Sequence, residues 1–590
     1  MFNKPKAVAG VALFAALAMG ATACGDGGAN QGMGGSFDDC EIEPATCNSG
    51  ERRQGGDVVW ALDAGWGGWN EWATADRSVG LAQVLAGKQP KIGEWHPDGE
   101  WRINDGILTE EPELIEEDPM KVQYQLNPDA NWGDGTPIGL DDFLWHWYQG
   151  SGNEELCSPA DCESSAITWG ANVSDIEQTG DNTFVITYND GYIDPEWKYH
   201  MVLSYPAHIA EANGFEDWAS DPDVMGESFW YFSDTIPLDW TAGPYRVQSA
   251  EAGSYIIYEP NPDWAGSIKP TLDTITIEVF NDQDSIITEM RQETVQGFAP
   301  GNLDPESVGQ IDFIEGVDHF LSVGPNWTHI DFNMQSDLLQ DPALRKAVFT
   351  AIDVEDLIDR TFGLTVEGLE RKTNHTFKND SEFHIDAFAD SPQGTGDEMA
   401  AREILEEAGY TWDRQGNTLF TPEGDEVELE FRVVAGDRLR TTMAELTQHY
   451  LSVIGIHINV NTFEGTEFAT VLNESQFDMI TYSWSTDPRF TAQPHNHWHS
   501  TSASNYGNLN SELVDELTSN IRSTTDLAEA ADRANEAVLA VTDEAYVLPI
   551  IDAPVLIAAD SDLVNIRDNW ATSIRALYNM AEWGYAEGTE

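Results

Sequence analysis

The sequence predicts an α/β protein built as two lobes, and three observations carry that expectation. The chain has 590 residues, well past the roughly 250–300 at which one hydrophobic core stops growing. Its 41 % hydrophobic content, with 21 Trp, 17 Tyr and 24 Phe, supplies the apolar surface that packed cores need. Strand patterns come first, helical patterns become denser later, and a strand returns near the C-terminus, so the chain passes between lobes twice.

The elements follow in order. Asp57–Leu62 is a short apolar strand that runs into a Gly/Trp-rich turn, Asp63–Trp72. Lys121–Leu126 and Thr183–Tyr188 alternate as half-buried strands do. Ser254–Tyr258 and Asp273–Val279 are the next two strands. Then helices dominate: Pro342–Ile352, a helix capped by Asp397 with Gly409 as its stop, and Thr442–Ile454. Asp526–Val541 places Leu527, Ala530, Ala534, Val538 and Val541 on one face. Ala545–Ile551 is strand again. Strands near Val279 and Val547 are the expected crossings, giving lobe I over 55–279 and 546–590 and lobe II over 280–545. Two crossings make a hinge, with a ligand site in the cleft.

Charge and cysteines bound the setting. With 29 basic and 103 acidic residues the net charge is −74, which repels nucleic acid and anionic membrane surfaces. A saline habitat is expected, because salt screens such repulsion. Lys4 and Lys6 precede the apolar run Ala7–Met19 and the small residues Ala21-Thr22-Ala23, the pattern of a signal peptide over 1–23. The run is too short to span a bilayer. The cut is read in two ways: an ordinary A-x-A site, or a lipobox in which Cys24 receives the lipid. Five cysteines favour the second, since local disulfides Cys40–Cys47 and Cys157–Cys162 leave Cys24 alone. A zinc site from these pairs is the alternative; neither pair has nearby His or C-x-x-C spacing. The Gly-rich Gly25–Ser36 reads as a tether, within a flexible lipid-anchored linker over 24–54.

Several segments carry a family likeness. Asn131–Ile138 with Asp141-Asp142-Phe143, then Thr241–Val247 and Asn261-Pro-Asp-Trp264, are three of them. Asp331-Phe-Asn333 with Asp341–Ala347, Glu407–Tyr410, Leu451–Ile456, and Phe477-Asp-Met to Trp484-Ser-Thr-Asp487-Pro488 follow in order. Together these resemble the dipeptide/oligopeptide-binding family (family 5) of extracytoplasmic solute-binding proteins of ABC importers, from about Gly55 to the C-terminus. The resemblance implies a periplasmic-binding-protein-like clamp of class II. It further implies a monomeric, lipid-anchored receptor on the outer face of the cell membrane, taking a peptide or other small polar solute to an ABC permease. Two departures stand out: Gly139 replaces the usual Thr cap, and Asp487 directly precedes Pro488.

Candidate ligand residues come partly from this resemblance. Asp487 matches the family's anchor for a peptide α-ammonium, with Trp484 three residues before it; a surface Asp-Pro turn is the alternative. Phe332 and Asn333 match a cleft-edge strand, or else a strand-to-loop cap. Trp66 and Trp69, with Trp72, lie in a loop at a strand's C-terminal end, where open α/β sheets place ligands. Their rings offer stacking faces, or else pack one lobe against itself. Arg438 and Arg440 are candidates for a ligand carboxylate, against pairing with neighbouring acids. Gly135 and Gly243 read as fold residues. His495, His497 and His499 form a possible metal nest, although Pro494 and Ser500–Asn508 argue for a plain loop. No metal and no cofactor are expected.

Enzyme signatures are missing. None of the 13 His is followed by Glu, and neither a G-x-S-x-G elbow nor a G-x-x-x-x-G-K-[ST] loop occurs. The expectation is a transport receptor rather than an enzyme. The second readings are a cell-envelope glycan or glycolipid sensor on the same fold, or a binder of nickel or another metal complex.

Overall fold

The computed structural model describes residues 36–238 and 240–589. The expected signal peptide and Cys24 lie outside the described residues. Ten strands form one sheet that serves both lobes. Their spatial order is His457–Phe463, Glu428–Val434, Met479–Ser485, Val317–Phe332, Val547–Asp560, Gly297–Phe298, Asp57–Leu62, Thr274–Val279, Tyr255–Pro260 and Tyr245–Glu251.

The join is made by two long antiparallel strands, Val317–Phe332 and Val547–Asp560. Each gives one end to each lobe. Leu548, Ile550 and Ile551 pack with Trp327 and Ile330 in the lobe II core, whereas Ile557 and Ala559 pack with Val58 and Trp60 in lobe I. The molecule is therefore a two-lobe clamp hinged on two chain crossings. Between Val323 and Trp327 the register shifts, with Val323 opposite Pro554 and Trp327 opposite Asp552. A proline, which cannot donate to a ladder, sits where the ladder is already interrupted.

Two boundaries differ from expectation. The first crossing comes later than Val279: helices Gln283–Arg291 and Pro305–Ile311 bury Ile286, Ile287 and Ile311 against Ala61, Leu556 and Ala558 of lobe I. The segment expected as a flexible linker is folded from Ser36 onward. Phe37, Cys40 and Cys47 are buried in the lobe I core, the Cys40–Cys47 disulfide closes the segment, and the Asn48 side chain accepts the Ile566 N–H at 2.8 Å.

A second, four-stranded antiparallel sheet, in the order Glu113–Glu117, Met120–Gln125, Thr183–Tyr188, Val173–Gln178, builds a subdomain of lobe I. Helix Leu140–Gly150 covers it, with Phe143 stacked on Phe184 at 4.7 Å. Gly139 caps that helix through its backbone, its N–H donating to Asp142 at 2.9 Å. The Cys157–Cys162 disulfide forms as expected. Gly135 has φ +85°, and a Cβ on Gly243 would sit 2.4 Å from the Gly87 carbonyl oxygen, so both are fold residues.

Candidate functional site

Loops from the C-terminal ends of strands in both lobes meet beside the hinge, where open α/β sheets bind ligands. There they enclose a cavity of about 580 Å³, within the range of roughly 300–1,000 Å³ typical of small-molecule sites. Lobe I contributes Gly301–Glu306, the loop leading into helix Pro305–Ile311. Lobe II contributes Gly436–Arg440 at the start of helix Arg438–Val453, together with Ser483. Asn326, Thr328 and Ala553–Val555 of the hinge strands complete the wall.

The cavity wall carries two arginines, Arg438 and Arg440, and three acids, Asp304, Glu306 and Asp437. Asp437 caps helix Arg438–Val453 by accepting the Arg440 N–H at 2.9 Å, and its carboxylate also pairs with the Arg440 guanidinium. Arg440 Nη2 donates to Ser483 Oγ at 2.9 Å, while its buried Nε has no partner among the described residues. Arg438 is exposed and makes no ion pair among the described residues. Asp304 is occupied in capping Pro305–Ile311, accepting from the Glu306 N–H at 3.2 Å and the Ser307 hydroxyl at 3.1 Å.

Most of the sequence candidates stand elsewhere. Trp66 and Trp69 are 7 % and 3 % exposed, packed edge to face in the lobe I core, and offer no stacking surface to a cleft. Phe332 is fully buried and stacks on Phe349 at 4.1 Å. Asn333 is a strand-to-loop cap: its amide donates to the Ser475 and Phe477 carbonyls at 3.1 Å, and its Oδ1 accepts the Gln335 N–H. Trp484 alternates with Ser483 along its strand and so lies on the face away from the cavity. It stacks there on His497 at 4.1 Å and runs parallel to Tyr506 at 5.6 Å.

Asp487 is half-exposed on the loop leaving the same strand, where Arg489 holds it. That loop runs against lobe I, with the Thr491 N–H donating to Glu196 at 3.1 Å. Burial pushes the Glu196 carboxyl above its ordinary value, against the opposing pull of that hydrogen bond. The histidine motif is a short helix, Gln493–Trp498, rather than a loop; Pro494 falls in its first turn, where no N–H is needed. His495 and His499 stack at 4.2 Å and His497 points to Trp484. Among the described residues no three His, Cys, Asp or Glu side chains are placed to hold a metal.

Sequence reasoning weighed Arg438 and Arg440 but missed Gly301–Glu306 and Asn326. Asp304-Pro305, a cap followed by a first-turn proline, was the available signal for the former.

Residues 106–506 match the family model of the bacterial extracellular solute-binding proteins, family 5, middle part. The chain belongs to this family. The family 5 chain is 25 % identical over 503 residues to the oligopeptide-binding protein OppA of Mycobacterium tuberculosis, covering 82 % of this chain and 78 % of that one. Among solved structures it is similar to the periplasmic EDTA-binding protein EppA, with a TM-score of 0.82 at 27 % identity, covering 92 % and 99 % of the two chains. It also shares its fold with the oligopeptide-binding protein AppA of Bacillus subtilis in complex with a nonapeptide, with a TM-score of 0.66 at 18 % identity, over 91 % and 100 %. These relatives of the family 5 protein are binding proteins rather than enzymes. No described helix is long and apolar enough to cross a membrane.

Proposed function

We propose that the protein is the solute receptor of an ABC importer. Held at the outer face of the cell membrane by a lipid on Cys24, the monomer closes on a small peptide or a similar polar, carboxylate-bearing solute and presents it to the permease. The observation that carries this reading is the cavity between the lobes with Arg438, which makes no ion pair among the described residues, on its wall. A guanidinium binds a carboxylate through two parallel N–H donors. The oligopeptide-binding relatives support a peptide. The likeness to an EDTA-binding protein supports a second reading, in which the same arginines take a carboxylate-rich chelate. The glycan reading loses its stacking surface, since Trp66 and Trp69 are core.

The test is calorimetric titration with trialanine and its C-terminal amide. Hydrogen bonds to a charged group are worth about 1.5–3 kcal/mol, so Arg438→Ala and the amide each weaken binding about tenfold. Equal affinity for acid and amide would refute the carboxylate assignment.

A further inference from the structure

Of the five charged side chains on the cavity wall, three already have partners. Asp437 and Arg440 pair with each other at the start of their helix. Asp304 accepts from the Glu306 N–H at 3.2 Å and the Ser307 hydroxyl at 3.1 Å. The other two, Glu306 and Arg438, are exposed, and neither side chain makes an ion pair or a hydrogen bond among the described residues. They carry opposite charges and stand on opposite lobes, Glu306 in the first turn of the lobe I helix Pro305–Ile311 and Arg438 in the first turn of the lobe II helix Arg438–Val453. The lobes are in contact in this structure, with Arg522 of lobe II on Asp194 of lobe I, yet Glu306 and Arg438 form no pair across the cavity they share. Leu303 of lobe I and Phe362 of lobe II line the same space and bring no charge.

We infer that one solute spans these two side chains, its cationic end on Glu306 and its carboxylate on Arg438, so that the clamp shuts preferentially on zwitterions. The inference rests on the cavity being the solute site and on Arg438 taking a carboxylate; it adds the acid that takes the other end. A ligand favours the closed form only by its differential affinity for it. In an open clamp a solute held at one end touches one lobe. When the lobes meet, a solute charged at both ends gains a second ion pair, and a solute charged at one end gains none. The first turn of a helix suits an acid whatever binds there, so the role of Glu306 toward solute has to be read apart from its role in folding.

The experiment titrates the purified chain and its Glu306→Gln variant with trialanine, N-acetyl-trialanine, trialanine amide and ferric EDTA, which has carboxylates and no ammonium. An exposed ion pair is worth up to about fivefold in affinity, so acetylation and Glu306→Gln should each weaken trialanine binding about three- to fivefold. The two losses should not add, because both remove the same contact: Glu306→Gln should bind trialanine and its acetylated form within about twofold of each other. X-ray scattering at saturation should show trialanine compacting the parent more than the acetylated peptide or the amide does. The inference is overturned by an acetylation loss below about twofold in the parent, by an acetylation loss that persists in Glu306→Gln, by equal compaction with all three peptides, or by binding of ferric EDTA without trialanine. An amide that binds as well as the acid overturns instead the carboxylate reading beneath it. Thermal melts establish that Glu306→Gln remains folded.

Discussion

Lys88 is 2 % exposed, its ammonium donating to the Trp240 carbonyl at 3.2 Å and lying over the Tyr205 and Trp240 rings. Burial lowers it to about 7, with Glu71 pulling the other way. The folded value lies below that of the unfolded chain, so above pH 7 the unfolded state binds more protons and stability rises with pH. We expect a gain of about 2 kcal/mol between pH 7 and 9, absent in Lys88→Met; urea melts of both proteins check this. The window ends at pH 9 because buried tyrosines such as Tyr258, pushed up by burial, then act in the opposite sense. Single residues were legible in the sequence as to type but not direction. The family likeness places Phe332 on a cleft-edge strand, and the loop pattern offers Trp66 as a stacking face, with packing within a lobe as the alternative for Trp66. Phe332 stacks on Phe349 and Trp66 packs on Trp69, near neighbours in sequence, yet no local pattern says whether such a pair faces a cleft or the core. Arg440 and Arg438 show the same limit: Asp437 engages the first and not the second, and the lobe I loop that makes Arg438 a wall residue is remote in sequence.

At the scale of elements, local signals read well wherever the chain stops for local reasons. Asp397 caps Glu398–Glu407, accepting the Met399 and Ala400 N–H groups, and Gly409 ends it at φ +91°. Asp526 does the same for Leu527–Glu544. Reading failed where a local breaker is overruled. Asp552-Ala-Pro554 looks like the end of a strand, yet pairing with Val317–Phe332 carries the strand through to Asp560, the proline falling at the register shift. The N-terminal segment failed in the other direction, because its polar composition hid Phe37 and two buried cysteines. Its disulfide spans a sequence separation of 7, for which loop-closure entropy gives about 2–3 kcal/mol. Cys40→Ser with Cys47→Ser should therefore lower stability by about that amount without changing the cavity. Chemical denaturation and trialanine titration measure the two effects separately, and an unchanged denaturation midpoint would show that packing of Phe37 alone secures the segment.

At the scale of the molecule, closing the clamp brings two acidic lobes together in a chain of net charge −74. Repulsion opposes closure, and cross-lobe contacts must offset it. One such contact is Arg522 of lobe II on Asp194 of lobe I, a carboxylate only 2 % exposed that also receives His200 at 3.1 Å and the Tyr192 hydroxyl at 2.8 Å. Burial alone would raise the Asp194 carboxyl, but the His200 and Arg522 contacts outweigh it and hold it well below the usual carboxylate range. A depressed carboxylate contributes fully above its unfolded value near 4 and loses that contribution only as pH falls further. The Asp194 carboxylate is therefore ionised throughout pH 5–8. Ligand favours the closed form only by its differential affinity for it, so a weaker latch must appear as weaker binding. Because Arg522 is partly solvated, its loss costs about 1 kcal/mol, roughly fivefold in affinity. Arg522→Gln should thus bind trialanine about fivefold more weakly and scatter X-rays as a larger particle without ligand. Raising NaCl from 0.1 to 1 M shrinks the Debye length from about 10 to 3 Å, damping the repulsion between lobes, and should return much of the compactness. Identical scattering of parent and variant at both salt concentrations would mean that the hinge strands alone set the angle between the lobes.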